Sequence, residues 1–316
     1  MKRLPAPVLL SAAAAFWGGN FIVARAVSSS LPPLTLSFYR WVVALLVLVP
    51  LAGREVWSKR SQVRDNPGWF ALVALTGTVL FHVFVYVGLA TTTAINATLL
   101  VATSPVIIPL VAVLVHRDRI NVMQALGIAI SVLGVLLILT RADLEVLASF
   151  AFSSGDLLIL AAVVAWALYS VVLRDRRDDL SPLGFVLAIT VLGIPILLVL
   201  YLVELATQGG FDVTPGHLLT IVYVGLFASV LAYLAWNKGV ELIGAVRAGP
   251  YMSLMPVFAA LLAVVFLGES LELYHVAGTV VIALGLILSG RRPGAARLEA
   301  GGKATAGREL PPGAKS

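Results

Sequence analysis

The sequence lacks cysteine altogether, and only 12% of its 316 residues are charged. Without cysteine there is no disulfide bond and no thiolate metal site. A soluble globular domain carries about 25% charged residues, so this chain has too little charge for a water-facing surface. Its hydrophobic share of 60% favours a protein embedded in a lipid bilayer. These values exclude a disordered chain, a disulfide-stapled secreted module and an ordinary cytosolic enzyme.

Asp and Glu are absent from the middle of every long apolar segment. Proton- or cation-driven antiporters usually place a carboxylate relay there, so this absence favours a facilitator. The chain has no Gly-Lys-Ser/Thr phosphate-binding loop, which argues against direct use of ATP. Its four histidines are scattered along the sequence without a metal-ligand spacing. We therefore expect no catalytic residue, no metal and no cofactor.

Long uncharged segments recur along the whole chain. A helix that crosses about 30 Å of hydrocarbon needs roughly 20 apolar residues. The 51 residues between Asp65 and Arg117 contain no Lys, Arg, Asp or Glu, which is enough for two spans. The complete pattern predicts ten transmembrane helices, and hence an all-α integral membrane protein.

The basic residues are segregated between alternate loops. Of the 22 Lys and Arg residues, 19 lie at the N-terminus, in the tail or in loops on one side of the ten-helix arrangement. Cytoplasmic loops are enriched in Lys and Arg, so both termini are expected in the cytoplasm. The predicted location is the inner (cell) membrane of a bacterium, crossed many times.

Two arginines fall inside predicted helices, where a charge costs about 2.5–3.5 kcal/mol. Arg25 lies close enough to a helix end to extend to the membrane surface. Arg40 lies deeper in its helix and should face the protein, where a substrate carboxylate is a plausible partner.

The second half of the chain repeats the first at an offset of 149 to 151 residues. Trp17 matches Trp166 and Pro105 matches Pro256. Further matched pairs are Arg25 with Arg174, Pro33 with Pro182, Gly88 with Gly239, Gly127 with Gly278, and Gly134 with Gly285. The predicted units are a five-helix repeat at 1–145, a second one at 146–290 and a disordered cytoplasmic tail at 291–316.

Because five is an odd number, the second repeat should enter the membrane from the opposite side. Two such inverted bundles, with substrate near the bilayer midplane, form the architecture of many alternating-access transporters. The matched prolines Pro105 and Pro256, with Gly88 and Gly239 nearby, are predicted hinges.

Several motifs resemble one membrane protein family. The run Phe-Trp-Gly-Gly-Asn-Phe at 16–21 is similar to the first-helix signature of the EamA branch of the drug/metabolite transporter superfamily, and Trp-Ala-Leu-Tyr at 166–169 resembles its counterpart in the second repeat. Pro-Val-Phe-Ala-Ala-Leu-Leu at 256–262, followed by Leu-Gly-Glu at 267–269, is similar to that family's most recognisable stretch. At 116–118 the chain has His-Arg-Asp where the family often has Leu-Gly-Glu.

The resemblance implies export of amino acids, purines, other metabolites or drugs, and the general look is similar to exporters of aromatic amino acids. It also implies that helices 1, 3, 4, 6, 8 and 9 surround the substrate cavity. The polar and aromatic residues inside spans that we predict to line it are Trp17, Asn20, Arg40, Thr78, His82, Tyr86, Asn96, Thr103, Trp166, Tyr169, Ser229, Tyr233, Trp236 and Tyr251.

The spacing supports this choice, since Thr78, His82 and Tyr86 recur every four residues and so share one helix face. Each candidate also has a purely structural interpretation: polar side chains in membrane helices often only bond a neighbouring helix. We interpret Trp41, Trp57 and Trp69 as interfacial anchors. Helices 5 and 10, with their spaced glycines, are interpreted as close-packed scaffold.

The sequence thus predicts a transporter that moves a small metabolite by alternating access, with amino acids, including aromatic ones, moving outward as the best guess. Facilitative transport is favoured. A proton-coupled antiporter, with His82 as the titratable mid-span group, is the alternative, and a channel or an intramembrane enzyme is a remote one. The expected partners are a small-molecule substrate and the bilayer, without nucleic acid, in a monomer or weak homodimer.

Overall fold

The structure, a computed structural model, describes residues 4–92, 97, 100–140, 143, 145, 153–267 and 272–290. Within these ranges the regular secondary structure is entirely helical, as the sequence predicts. Three predictions lie outside the described residues: the cavity position of Asn96, the side chain of Arg25 and the tail at 291–316.

The long helices follow one another along the chain with short connections. They are α1 (Ala6–Val27), α2 (Pro33–Ser58), α3 (Pro67–Ala74, Leu75–Leu80 and Phe81–Thr91), α4 (Ser104–His116), α5 (Val122–Leu139), α6 (Ser154–Val172), α7 (Pro182–Gln208), α8 (Pro215–Tyr223, Val224–Leu231 and Ala232–Ile243), α9 (Ala245–Ala248, Gly249–Ser253 and Leu254–Leu267) and α10 (Leu273–Gly290). A short helix, Arg60–Asp65, precedes α3, and a 3₁₀ turn, Leu173–Asp175, follows α6.

Seven of these helices are long and apolar enough to cross a membrane, namely α1, α2, α3, α6, α7, α8 and α9. The described parts of α4, α5 and α10 are shorter apolar helices. A multi-pass membrane protein is therefore the architecture, while the count of ten spans and the side of each terminus remain predictions.

The helix starts follow from local sequence. Proline occupies the first turn of α2, α3, α7 and α8, where its missing N–H needs no partner. Asn121 and Ser153 begin α5 and α6 with capping boxes, in which the cap side chain accepts from the backbone three residues later. These signals fix where each apolar segment enters its helix.

The packing is symmetric between the two halves of the chain. Helix α3 packs against α6 as α8 packs against α1, and α4 packs against α6 as α9 packs against α1. Three pairs, α2 with α7, α4 with α9 and α5 with α10, join equivalent helices of the two halves. Exchanging α1–α5 with α6–α10 therefore leaves the pattern of helix pairs unchanged, as expected of a duplicated five-helix unit.

The pair α5 and α10 confirms the scaffold prediction. A Cβ atom added at Gly134 would come 2.7 Å from the carbonyl oxygen of Gly278, and one added at Gly278 would come equally close to that of Gly134. Gly127 and Gly285 make the equivalent contact at the other end of the pair. Only glycine permits the two backbones to approach this closely.

Helices α2 and α7 run antiparallel. At the end of α2, the carboxylate of Glu55 accepts from the backbone N–H of Ser181 at 2.7 Å, just before α7 begins. At the end of α7, the carboxylate of Glu204 accepts from the N–H of Leu34 at 3.0 Å and of Thr35 at 2.6 Å, in the first turn of α2. Each helix thus ends beside the start of its repeat mate.

Equivalent positions in α3 and α8 carry π-helical turns, at Leu75–Leu80 and Val224–Leu231. These turns widen the helix by one residue and often mark functional sites. Their start positions are 149 residues apart, the same offset as in the sequence repeat. The irregularity therefore belongs to the duplicated unit and is not an accident of one helix.

The predicted hinge residues have different local settings. Pro105 lies in the first turn of α4, where no backbone hydrogen bond is lost, and Pro256 follows the 3₁₀ segment of α9. Gly88 and Gly239 lie in continuous α-helical segments and are explained by close packing instead of bending. A Cβ at Gly88 would come 2.9 Å from Ile159 of α6. One at Gly239 would collide with Leu10 of α1, the repeat mate of Ile159.

Candidate functional site

A buried aromatic cluster lies where α1, α2, α3, α6 and α8 meet. The repeat mates Trp17 and Trp166 pack edge to face, with ring centroids 5.0 Å apart. Tyr233 of α8 lies 5.5 Å from Trp166 and 5.2 Å from Trp41 of α2. His82 of α3 lies 5.5 Å from Trp41. The same aromatic cluster also contains Phe81, Tyr86, Tyr169 and Trp236.

Backbone carbonyls of the two π-helical turns hold the rings of this cluster in place. The carbonyl of Gly77 in α3 accepts from the hydroxyl of Tyr233. The carbonyl of Ala228 in α8 accepts from Trp17 Nε1 at 3.0 Å. In a π-helical turn the carbonyls pair five residues ahead, so they deviate from the regular α ladder and become available to side chains. The irregular backbone and the cluster are thus parts of one arrangement.

Arg40 brings a buried positive charge to the edge of the aromatic cluster. Its side chain is 1% exposed. The Nε atom donates to Ser229 Oγ at 2.8 Å, and Nη1 donates to the hydroxyl of Tyr86 at 2.7 Å. Tyr86 donates onward to Asn20 Oδ1 at 3.1 Å. Within the part of the chain that the structure describes, Arg40 Nη2 has no hydrogen-bond partner and the guanidinium forms no ion pair.

A small central cavity lies between the aromatic cluster and α9. It has a volume of about 10 Å³, which is room for roughly one water molecule. Its walls include Trp17, Asn20, Arg40, His82, Tyr86, Trp166, Met252 and Met255. The polar wall groups come from α1, α2 and α3, while α9 contributes methionines. The cavity therefore combines one cation with soft apolar and aromatic surface.

A larger cavity, called the vestibule below, has a volume of about 860 Å³. It lies between the C-terminal ends of α4, α6 and α8 and the starts of α7 and α9. Its ionisable lining residues are His116, Asp118, Arg119, Arg174, Arg176, Asp178, Lys238, Glu241 and Arg247. Three ion pairs join six of them: Arg174 with Asp118, Arg176 with Asp178, and Lys238 with Glu241. The vestibule is thus polar, hydrated in character and rich in basic side chains.

A layer of hydrogen-bonded side chains separates the vestibule from the central cavity. Asn237 lines the vestibule, and its Oδ1 accepts from the hydroxyl of Tyr169 at 2.8 Å. The ring of Tyr169 lies 5.1 Å from Trp166, which lines the central cavity. Beside it, Trp236 Nε1 donates to Ser170 Oγ at 3.1 Å. One tyrosine ring and its partner therefore reach from one cavity towards the other.

Most of the predicted cavity residues meet at this centre. The structure brings together Trp17, Asn20, Arg40, His82, Tyr86, Trp166, Tyr169, Ser229, Tyr233 and Trp236. The others lie elsewhere or outside the described residues. Thr78 contacts α7, because a Cβ at Gly193 would come 2.6 Å from its methyl group. Thr103 donates to the carbonyl of Leu100 at 2.6 Å. Tyr251, in the 3₁₀ segment of α9, is half-buried and does not line the central cavity.

The interpretation of Trp41 as an interfacial anchor is wrong. Trp41 is fully buried in the aromatic cluster, whereas Trp57 is 71% exposed and Trp69 is half-buried with its Nε1 donating to the carbonyl of Val172. Trp41 follows Arg40 directly, and the depth of that arginine was the available signal. An aromatic residue next to a deep charge belongs to the protein interior with it.

The arrangement offers binding surface and not reaction chemistry. Among the described residues, no three His, Asp or Glu side chains gather as a metal site would require. The buried carboxylates serve as helix caps: Glu204 for α2 and Asp156 for α6. His82 Nδ1 donates to the carbonyl of Thr78 at 3.1 Å and packs among rings.

Comparison with known proteins gives consistent results. The model of the EamA-like transporter family matches residues 4–140 and 153–291, in two copies. The uncharacterized transporter YyaM of Bacillus subtilis (strain 168) is 28% identical over 287 residues, covering 91% of this chain and 94% of the relative. An uncharacterized transporter of Archaeoglobus fulgidus is 27% identical over 294 residues, covering 89% and 96%.

A solved crystal structure has the same fold, with a TM-score of 0.73 over 93% of this chain and 98% of that one. Its sequence identity of 20% limits the likeness to fold alone.

Proposed function

The chain belongs to the EamA-like transporter family, and from this premise we propose that it carries a small metabolite by alternating access through the aromatic cluster. The family and its relatives make the chain a membrane transporter and not an enzyme. Alternating access, the substrate and the direction are our proposal.

The observation that carries the proposal is the pair of unequal cavities with one layer of side chains between them. The vestibule has about 860 Å³ and the central cavity about 10 Å³. An open pore would show a continuous passage, whereas a carrier caught facing one side has an open vestibule and a closed centre. The Tyr169–Asn237 hydrogen bond lies in the separating layer, and we assign it the role of the gate on the vestibule side.

The vestibule is proposed to face the cytoplasm. Lys238 and Arg247 line it, and both belong to loops that the distribution of basic residues predicts to be cytoplasmic. Arg119, Arg174 and Arg176 lie in other loops of the same predicted side. The conformation is then the inward-facing one, ready to accept a solute from inside the cell, which supports outward transport in a bacterial inner membrane.

The motion is proposed to use the irregular backbone of the duplicated unit. The π-helical turns of α3 and α8 hold the aromatic cluster, and the breaks before Pro105 and Pro256 lie in α4 and α9. Bending at four equivalent places lets the two halves exchange roles, as inverted repeats do in rocking carriers. Helices α5 and α10, held together by their glycines, stay fixed.

A proton-coupled mechanism is the second candidate. His82 is a titratable residue in the wall of the central cavity, which also contains Arg40 and no described carboxylate. A carboxylate relay is the usual means of proton coupling, so we favour facilitated transport. A panel of neutral amino acids, with aromatic ones foremost, is proposed as substrates because rings make up most of the cavity wall.

The test is counterflow in proteoliposomes that contain the purified protein. Vesicles loaded with unlabelled phenylalanine should accumulate labelled phenylalanine transiently, with saturation and without a pH gradient. Labelled purines and cationic drugs serve as parallel arms. A carrier of another metabolite would show counterflow in one of those arms only, whereas a channel would show none in any arm.

A further inference from the structure

We propose that Arg40 is the anchor for a carboxylate, so that the transported solutes are small organic carboxylates with an apolar or aromatic body, including zwitterionic amino acids and excluding amines without a carboxylate. This inference rests on the proposed function, because it specifies the substrate of the same central cavity.

The first support is the uncompensated charge. Arg40 is 1% exposed, and in the described part of the chain its guanidinium has only neutral partners. A cation this deep in a membrane protein is costly unless an anion or a dense set of acceptors faces it. Arg40 Nη2 is buried without a hydrogen-bond partner, although the residue lines the central cavity. One N–H donor group is therefore left over at the place where a solute would bind.

The second support is the orientation of the neighbours. Ser229 accepts from Arg40 Nε and spends its own hydrogen on the carbonyl of Val224 at 2.9 Å. Tyr86 accepts from Nη1 and spends its hydrogen on Asn20. Both neighbours thus fix the plane of the guanidinium while leaving Nη2 unused. A planar fork held in this way suits a carboxylate, which it binds through two parallel N–H bonds.

The third support is the rest of the wall. Besides Arg40 it contains Asn20, His82, aromatic rings and two methionines, and its described residues include no Asp or Glu. A free ammonium group would meet a like charge there without an anionic partner. In an amino acid the carboxylate neutralises Arg40, and the ammonium group can lie against the aromatic faces, which attract cations. The wall therefore discriminates by charge at one end of the solute and accepts a ring at the other.

The test uses three probes that share one ring and a similar chain length: phenylalanine, 3-phenylpropionate and phenethylamine. Binding to the purified wild-type protein is measured by the fluorescence of its buried tryptophans, and competition is measured in counterflow. We expect phenylalanine and 3-phenylpropionate to bind, and phenethylamine to bind at least about tenfold more weakly, which is about 1.4 kcal/mol. Because this comparison needs no mutation, it does not depend on how well a variant folds.

The matched variants are Arg40→Gln, Arg40→Lys and, as a control, Arg54→Gln at an exposed position of the same helix. Arg40→Gln should abolish the preference for carboxylates over the amine, Arg40→Lys should retain part of it, and Arg54→Gln should leave it unchanged. Each variant is used only if its elution volume in detergent matches that of the wild type.

Equal binding of the amine and the carboxylates, or an unchanged preference in Arg40→Gln, would overturn the inference. So would binding that requires chloride for all three probes alike, since the occupant would then be an inorganic anion. Absence of binding by all three, with counterflow of another solute, would overturn the inference and leave the transport function standing. Selective binding of carboxylates without counterflow would instead contradict the proposed function.

Discussion

Glu55 and Glu204 lie 149 residues apart and do the same work at opposite ends of the α2–α7 pair. The carboxylate of Glu55 accepts from the backbone and hydroxyl of Ser181, and that of Glu204 accepts from the backbone and hydroxyl of Thr35. Each carboxylate satisfies free N–H groups at a helix start and meets the positive end of the helix dipole there. The two repeats are thus fastened to each other by one interaction used twice.

The first prediction concerns these two caps. Glu204→Gln should destabilise the protein by about 0.5–2 kcal/mol, the usual cost of losing a helix cap. Glu55→Gln should cost less, because the Glu55 side chain is 25% exposed and Glu204 is 2% exposed. The measurement is the apparent melting temperature in detergent. Glu241→Gln, which removes an exposed pair with Lys238, is the control and should change it little.

The second prediction concerns the aromatic cluster. Alanine at Trp17, His82, Trp166 or Tyr233 should each reduce counterflow strongly, because each removes a ring that contacts several others at the centre. Trp57→Ala, at a 71% exposed position, is the control. The partial variant Trp166→Phe should recover part of the activity. Full transport by all four alanine variants would mean that the solute takes another path.

The third prediction concerns the gate. Tyr169→Phe removes the hydrogen bond to Asn237 at 2.8 Å and keeps the ring. Hydrogen bonds between membrane helices average about 0.6 kcal/mol, so the gate should open about threefold more often. The readout is the labelling rate of a cysteine at Val85, in the wall of the central cavity, by a thiol reagent added on the vestibule side. Tyr201→Phe, which loses a hydroxyl contact with Tyr39 at 3.3 Å, should leave that rate unchanged.

The fourth prediction concerns the prolines. Replacing Pro105 and Pro256 together by alanine should slow counterflow more than it weakens binding of phenylalanine, because regular helix resists the bend that exchanges the two states. Rates and binding constants are measured on the same preparation. A variant that loses binding but keeps its maximal rate would assign the prolines to the binding site instead of the motion.

The fifth prediction concerns coupling. Counterflow should be insensitive to an imposed pH gradient, because the described wall of the central cavity contains no carboxylate and the buried Glu204 serves as a helix cap. Initial rates are compared with and without an ionophore that dissipates the gradient. Uptake that appears only with a gradient would support the proton-coupled alternative, and His82→Gln would then be the variant to measure next.

Particular residues show how far sequence reasoning reaches. The repeat offset predicted the symmetric packing, and the spaced glycines predicted the close pair α5 and α10. Regular helix spacing placed Thr78 on the face of His82 and Tyr86, but Thr78 faces α7 because it lies in a π-helical turn. Such a turn adds a residue without leaving a clear mark in the hydrophobic pattern, so the angular position of its residues cannot be predicted.

The reciprocal caps were beyond the sequence for a different reason. Glu55 and Glu204 read as charges at the ends of spans, a common position that needs no partner. Their role depends on contacts between residues 126 and 169 positions apart, which only the packing of α2 on α7 establishes. Trp41 likewise has a composition suited to either the membrane interface or the interior, and only its neighbours in three dimensions decide between them.

The most direct test of the central claim is counterflow of phenylalanine by the Val85→Cys variant, before and after reaction with a bulky thiol reagent. The wild-type chain has no cysteine, so the reagent has a single target and the wild type is an unreactive control. Val85 is 3% exposed and lines the central cavity. The account predicts counterflow before modification, loss of it afterwards, and protection by excess phenylalanine. Undiminished counterflow after complete modification would contradict a solute path through the aromatic cluster.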